Sequence, residues 1–446
     1  MIPLRKAMPR AGVALPLAPA WEGERVQVRP TRLVLPLRLT RLEQSEAVVR
    51  VGDKVHAGQI LSRPLGIGAR GLRSPLGGRV EALSVRPVSL PSIFAQAAGP
   101  LPLPCVELGG LDFSAPREGA WRHLEGPALR ERLSGMGLEG EEGLPLDLEL
   151  DLLPPGSRLV IMALSQAPAL DAALLEVESA RLEAAVAALC RLRDLRDAMV
   201  LHAPSRRESA SRLVARLSSL LPAKAHSVAG GHPWSQGRLA LCAAGLPFPS
   251  PRRTLASQGV LVCGLGRLLA IEGQLSQACP GPFPIEVQSW RGTRHLPEAA
   301  GSSVLAEVWP GTPLRDLLTA LGRDPHHARE LVLDGHPLTA SPLLDPDQPL
   351  LPGHLALGFL PDPALPSWAE GPCISCGQCL DICPLRLTPV RLARLVEEGR
   401  VGDARRLGLE SCVDCGLCSW ICPSRLELGH SLRKGRHLLR EARHGA

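Results

Sequence analysis

The stretch Cys373-Ile374-Ser375-Cys376-Gly377-Gln378-Cys379-Leu380-Asp381-Ile382-Cys383-Pro384 spells C-x-x-C-x-x-C-x-x-x-C-P, and Cys412-Val413-Asp414-Cys415-Gly416-Leu417-Cys418-Ser419-Trp420-Ile421-Cys422-Pro423 spells it again. In this pattern three closely spaced thiolates wrap one iron–sulfur cubane, and the fourth cysteine is aimed away to complete a second. The expected metal ligands are therefore Cys373, Cys376, Cys379 and Cys422 for one [4Fe–4S] cluster, and Cys383, Cys412, Cys415 and Cys418 for the other. Two-residue gaps let a tight loop fold around a cubane corner, and Gly377 and Gly416 let backbone N–H groups approach sulfur. The proline after the fourth cysteine ends the loop by fixing φ and removing a donor. Zinc also binds four thiolates, but zinc ribbons do not use a 3+1 exchange ending in Cys-Pro. The chemistry expected is a one-electron relay between two neighbouring clusters.

Outward from the motifs, Pro389 to Val396 reads as a helix and Asp403 to Leu409 as another, so residues 363–446 form an α-helical two-cluster ferredoxin module. Residues 301–362 carry short strands and one helix near Pro313 to Leu321, a small α+β (β-grasp-like) module. Its adjacent His326 and His327 point in different directions and read as loop residues.

Residues 121–300 alternate strands with helices: a buried run at Arg158–Leu164, a helix over Glu178–Ala198, a strand at Met199–His202, a helix over Arg206–Leu220 and a strand at Gly259–Cys263. That alternation predicts a parallel sheet with helices on its faces. Gly264-Leu265-Gly266 lacks the third glycine and the acidic partner of a dinucleotide fingerprint, and reads as a plain turn.

The first ordered unit, from Thr31 to Leu83, has short apolar runs between Gly-rich turns. Its Val51-Gly52-Asp53-Lys54-Val55 and Ser74-Pro75-Leu76-Gly77-Gly78 resemble the β-sandwich of biotinyl and lipoyl domains. The hairpin that carries the modified lysine in those carriers, here Gly66 to Gly71, has no lysine, so a structural sandwich is expected. Residues 85–120 are Pro-rich and read as an irregular crossover closing the unit at 120, after an N-terminal segment of residues 1–30.

The bulk numbers narrow the class. A chain of 446 residues with 45% hydrophobic and 21% charged residues is an ordinary folded, multidomain protein. The net charge of +6 is spread along the chain, aromatic residues are 3% and tyrosine is absent, which argues against a nucleic-acid surface. No run approaches the roughly 18 apolar residues of a membrane span, and no signal-peptide core follows the N-terminus. Thirteen cysteines in such a chain argue for metal ligation rather than disulfides. Cys105, Cys190, Cys242, Cys263 and Cys279 stand singly and read as small hydrophobes.

The order of units resembles the C subunit of the Rnf electron-transport complex, a bacterial ion-translocating ferredoxin:NAD⁺ oxidoreductase, as a divergent member. The likeness lies in Val51 to Gln59, in Gly311-Thr312-Pro313-Leu314-Arg315 and Gly335-His336-Pro337-Leu338, and in Cys418 to Ser424. It implies a peripheral subunit on the cytoplasmic side of the bacterial inner membrane, with membrane subunits and ferredoxin or another redox protein as partners. It also implies that the central α/β domain resembles the FMN- and NADH-binding subunit of respiratory complex I. There the chain departs from the family. Where members read G-x-x-G-x-G-G-A-G-F-P-T, this chain has Gly135, Gly137, Gly140 and Gly143 interleaved with Glu139, Glu141 and Glu142. Where members read N-A-A-E-C-E-P, it has Met162-Ala163-Leu164-Ser165-Gln166-Ala167-Pro168. The expectation is a degenerate flavin loop, no FMN or NADH site of its own and no catalytic residue. The alternatives are an iron–sulfur electron-carrier subunit of another reductase or dehydrogenase, and an assembly scaffold stabilised by its clusters.

Overall fold

The computed structural model describes residues 21–444 except 38–44, 66–70, 90–99, 115–120, 134–143, 145, 229–231, 234–236, 248, 252, 278, 294–295, 300–302, 325–329, 336–340 and 362–370. Gly135, Gly137, Gly140 and Gly143, most of the hairpin at 66–71, and His326 and His327 lie outside the described residues.

Strand β1 (Trp21–Gln27) opens the chain, followed by β2 (Leu33–Pro36), β3 (Ser45–Ala47), β4 (Lys54–Val55), β5 (Ser62–Pro64), β6 (Gly77–Val88) and β7 (Leu101–Asp112). Strands β2 to β7 build the sandwich, one sheet in the order β2-β7-β6-β4 and a small pair β3-β5, around Leu33, Leu35, Leu61, Leu76 and Val106. The Gly52-Asp53 turn joins its halves: Gly52 N–H donates to Val80 O at 2.8 Å and Val80 N–H to Asp53 O at 2.9 Å. Within the expected crossover at 85–120, residues 85–88 and 101–112 are instead sheet, since β6 runs to Val88 and pairs with β7 down to Leu101. Pro102 and Pro104 lie past Cys105, where the β2 register ends, and Pro104 still takes part through its carbonyl, which accepts the Leu37 N–H at 2.8 Å.

The central layer runs α1 (Gly126–Leu133), α2 (Leu146–Leu152), β8 (Ser157–Ala163), α3 (Pro168–Val177), α4 (Ser179–Leu192), β9 (Leu195–His202), α5 (Arg207–Leu217), β10 (Ala223–Ser227), α6 (Gly237–Ala243), β11 (Val260–Gly264) and α7 (Leu265–Gln277). Its four strands are parallel in the order β10-β9-β8-β11. In β8, Leu159 and Ile161 face one core with Leu182, Val186 and Leu189 of α4, and Val160 and Met162 face the other with Leu201 and Val262. Period-two alternation therefore survives in an all-apolar strand because both faces are covered. The helix expected to reach Ala198 ends at Leu192, where Arg193 turns extended (φ −146°, ψ 146°) and β9 begins two residues later. Gly264-Leu265-Gly266 is a direct strand-to-helix junction rather than a turn, since α7 starts at Leu265.

Next come β12 (Phe283–Thr293), β13 (Leu296–Ala299), β14 (Ser303–Val308), β15 (Thr312–Pro313), α8 (Leu314–Ala320), β16 (Glu330–Asp334), β17 (Ser341–Pro342), β18 (Pro349–Leu350) and β19 (Ala356–Pro361). A seven-stranded sheet takes β12 and β13 from before residue 300 and β14, β19, β16 and β17 from after it, with β1 parallel to β14. The expected boundaries at 30 and 300 therefore cut through one sheet, whose apolar face, with Ile285, Ala306 and Phe359, shares a core with Leu314 and Leu317 of α8. Gly311 (φ +87°) docks this sheet on the sandwich: a Cβ there would sit 2.7 Å from Leu35 Cδ2 and 2.8 Å from Val34 O.

The C-terminal module holds α9 (Gln378–Asp381), α10 (Pro389–Glu397), α11 (Val401–Arg406), α12 (Leu417–Trp420) and α13 (Leu428–His444). Leu392, Leu395 and Val396 of α10 pack on Leu428 and Leu432 of α13. No described helix is long and apolar enough to cross a membrane.

Candidate metal centre

The two motifs fold as copies of one device. Cys373, Cys376, Cys379 and Cys383 recur 39 residues later, and the backbone recurs with them. Ser375 and Asp414 are left-handed at φ +56° and +58°, Gly377 and Gly416 at +79° and +74°, and Arg386 and Arg425 at +52° and +59°. A non-glycine residue in that region costs about 1 kcal/mol or more. The conformation aims an N–H at sulfur, since Ser375 N lies 3.4 Å from Cys373 Sγ and Asp414 N lies 3.4 Å from Cys412 Sγ. Further N–H groups point at thiols: Leu387 at Cys383 (3.4 Å), Val390 at Cys379 and Leu417 at Cys415.

Chain crossing brings the cysteines together. A cavity is lined by Cys383 from the first motif and Cys412, Cys415 and Cys418 from the second, closed by Leu385, Leu387 and Leu432. Cys383 lies close enough to Cys412, Cys415 and Cys418 to raise the pKa of each. On the other side Cys379 feels Cys376 and Cys422. Cys418 also feels Cys379, so the two groups adjoin.

Burial is the first cause of every resolved thiol shift. It pushes Cys412 up to about 11 and Cys415 well above the ordinary thiol value, with neighbouring thiols adding to both. Four such thiols become thiolates together only if a positively charged core replaces their protons, and bound metal does this. Among the described residues no three Cys, His, Asp or Glu side chains converge tightly enough to hold a single ion. A tetrahedral zinc site with Zn–S bonds of about 2.3 Å draws its sulfurs to about 3.8 Å apart. The cavity that Cys383 shares with Cys412, Cys415 and Cys418, and the N–H groups near sulfur, fit a polynuclear iron–sulfur core.

The surroundings of the two loops differ. Cys373 and Cys376 are exposed, and Ile374 between them is 64% exposed. The second loop lies against the α/β layer, where Leu385 and Val413 pack on the core of Val160, Met162 and Leu239. There His232, 8% exposed, donates from Nε2 to the carbonyl of Cys415. Arg433 Nε holds Asp414 at 2.8 Å. Ser424 Oγ donates to Pro372 O at 2.8 Å and Gly371 N to Ser424 O at 3.0 Å, closing the module on itself. Sequence reasoning missed His232, because an isolated His-Pro in a loop carries no spacing signal. Of the other cysteines, Cys105, Cys263 and Cys279 are buried and Cys190 and Cys242 half-buried; burial pushes Cys105 up to about 12.

A family model described as a 4Fe-4S dicluster domain matches residues 372–426. The chain is thus an iron–sulfur protein of the electron-transport class, with a ferredoxin-type domain at its C-terminal end. Two relatives, each named as the C subunit of an ion-translocating oxidoreductase complex, match most of it. The one from Salmonella enteritidis is 25% identical over 375 residues, 81% of this chain and 50% of that protein. The one from Rhodobacter capsulatus is 26% identical over 393 residues, 85% of this chain and 72% of that protein. The chain spans half the length of the Salmonella relative. A solved NAD⁺-reducing [NiFe]-hydrogenase in the H2-reduced state aligns with 70% of this chain and 61% of that one, at 16% identity and a TM-score of 0.44.

Proposed function

We propose that this chain relays single electrons through two [4Fe–4S] clusters as a peripheral subunit of an Rnf-type ion-translocating oxidoreductase complex. The observation that carries the reading is the shared cavity of Cys383 with Cys412, Cys415 and Cys418, together with the approach of Cys422 to Cys379. The ligand sets are then Cys373, Cys376, Cys379 and Cys422 for the outer cluster, and Cys383, Cys412, Cys415 and Cys418 for the inner one. The clusters supply reversible one-electron exchange. The chain supplies thiolates, N–H groups aimed at sulfur and an apolar wall on one side.

The exposed Cys373–Cys376 loop is the port to a redox partner, ferredoxin or another carrier. Membrane subunits are the remaining partners, on the cytoplasmic face, consistent with relatives named as subunits of an ion-translocating complex. The biotinyl-like sandwich and β-grasp-like sheet serve as scaffold, and the α/β layer is a complex I-like unit whose FMN and NADH site has been lost. Loss is supported at the N-terminus of α3, directly after the departed N-A-A-E-C-E-P position. There the N–H groups of Ala169 and Leu170 already hold the chain's own Glu286 carboxylate at 2.8 and 3.0 Å.

The test is metal analysis of anaerobically purified protein. About eight iron and eight sulfide per chain are expected from two four-iron clusters. Zinc in place of iron after anaerobic reconstitution would overturn the proposal.

A further inference from the structure

We infer that His232 is a positioning residue for the inner cluster: a side chain of the α/β layer that fixes the Cys415–Leu417 loop and thereby sets the potential of that cluster apart from its near-copy. The inference rests on the cluster reading above and goes beyond it by assigning the electron relay a residue outside the ferredoxin module.

Three observations meet at this point. His232 is 8% exposed and its Nε2–H donates to the Cys415 carbonyl across 183 residues of sequence. Val413 of the loop it touches, and Leu385 beside Cys383 of the same cavity, pack on the α/β core. The Cys415 thiol, half-buried, takes an N–H from Leu417, two residues along. A trans peptide points its C=O and N–H to opposite sides. Holding the Cys415 carbonyl on the α/β side therefore turns the oxygen away from the thiol cavity and faces the Gly416 N–H of the same peptide toward it, which fixes the start of the segment whose next amide, Leu417 N–H, points at the Cys415 sulfur.

N–H groups directed at sulfur stabilise the reduced, more negative state of a cluster, and carbonyl oxygens turned inward do the reverse; such contacts and solvent access set cluster potential. The matching residue in the first motif, Cys376, is exposed on the outer loop. The local backbone is nearly the same in both copies, so the clusters can differ only through the side chains inside the motifs, such as Ser375 against Asp414, and through what lies against them. His232 is such a contact, and only the inner loop has it.

The experiment is a redox titration of the anaerobically purified full chain, following each cluster by its paramagnetic signal, for wild type, His232→Leu and His232→Gln. Iron and sulfide content report cluster loading separately, so a failure of the cluster reading is distinguishable from a failure of this one. The result expected is a lower potential for the inner cluster in His232→Leu, an unchanged outer cluster, and near-wild-type values in His232→Gln, whose carboxamide restores a donor. If His232→Leu does not load, His232→Asn replaces it: its amide stops short of the carbonyl, so the same selective shift is expected. Equal potentials in the loaded donor-less variant and wild type, or equal shifts in both clusters, would overturn the inference.

Discussion

Replacing Glu286 by glutamine should make the protein less sensitive to alkaline pH. Glu286 on β12 is fully buried; its Oε2 accepts the Ala169 and Leu170 N–H groups of α3, and Gln288 Nε2 donates to its Oε1 at 3.1 Å. Burial is the largest influence on it and pushes it up to about 7 from an ordinary 4.5, against those hydrogen bonds. Asp171 in α3 is likewise pushed up to about 7, by burial first and then, after two hydrogen bonds that oppose it, by the Glu286 charge. A folded-state pKa above the unfolded one means the protonated form stabilises the fold. The contribution is complete below about pH 4.5 and is lost as pH rises through about 7. For Glu286 alone a rise from 4.5 to about 7 corresponds to about 3 kcal/mol. A neutral amide removes that term and relieves Asp171, while keeping one oxygen for the α3 amides. Between pH 5 and 8, then, the stability of Glu286→Gln relative to wild type should rise by roughly 2–3 kcal/mol. Urea midpoints at both pH values, converted through the measured slope, provide the assay. Parallel pH dependence in the two proteins would refute the reasoning.

Cys383→Ser should damage the cluster held by Cys412, Cys415 and Cys418, although Cys383 belongs to the other motif; paramagnetic spectra confined to loss of the Cys373, Cys376 and Cys379 cluster would reject the crossing. Gly435→Ala places a Cβ 2.4 Å from Val396 Cγ2 and 2.8 Å from Leu409 Cδ2. A thermal midpoint lowered by a cost of about 1–3 kcal/mol is expected, and an unchanged midpoint would refute the packing argument. Purified chain titrated with FMN and with NADH by fluorescence should show no binding at or below the micromolar range, because a carboxylate about 4 Å from a phosphate weakens binding by about 4 kcal/mol at an effective dielectric near 20. Micromolar binding of either would restore a flavin role to this chain.

The sequence was most legible where chemistry dictates spacing. Two-residue gaps between thiols have few geometric solutions, and the repeated motif accordingly folds into repeated φ angles at Ser375 and Asp414 and at Gly377 and Gly416. The parallel sheet was legible for a related reason, since Leu159-Val160-Ile161-Met162 tolerates no exposed face. The strand β7 was not: Pro102 and Pro104 suppress the pattern, yet the strand continues through them, with the Pro104 carbonyl accepting the Leu37 N–H. The joining of β1 to β14, separated by some 280 residues, has no local signal at all. Nor had the buried pair Asp171 and Glu286, on an α3 helix and a β12 strand that only the fold brings together.

The two cluster loops illustrate the division of labour between repeat and context. If cysteine spacing and backbone alone set their properties, Cys373–Cys383 and Cys412–Cys422 would form equivalent halves of a symmetric module. Instead the first loop presents Cys373, Ile374 and Cys376 to solvent, while the second turns Val413 and the Cys415 carbonyl toward the α/β layer. An electron carrier with one open and one covered cluster has a direction in space: exchange with a diffusing partner is fastest at the open end, and the covered end communicates only through protein. The α/β layer therefore has a role of its own, because it is the wall against which one cluster loop packs. Removing the wall would open the inner loop to solvent as the outer one is, leaving only the side-chain differences between the motifs, such as Ser375 against Asp414 and Gln378 against Leu417, to distinguish them.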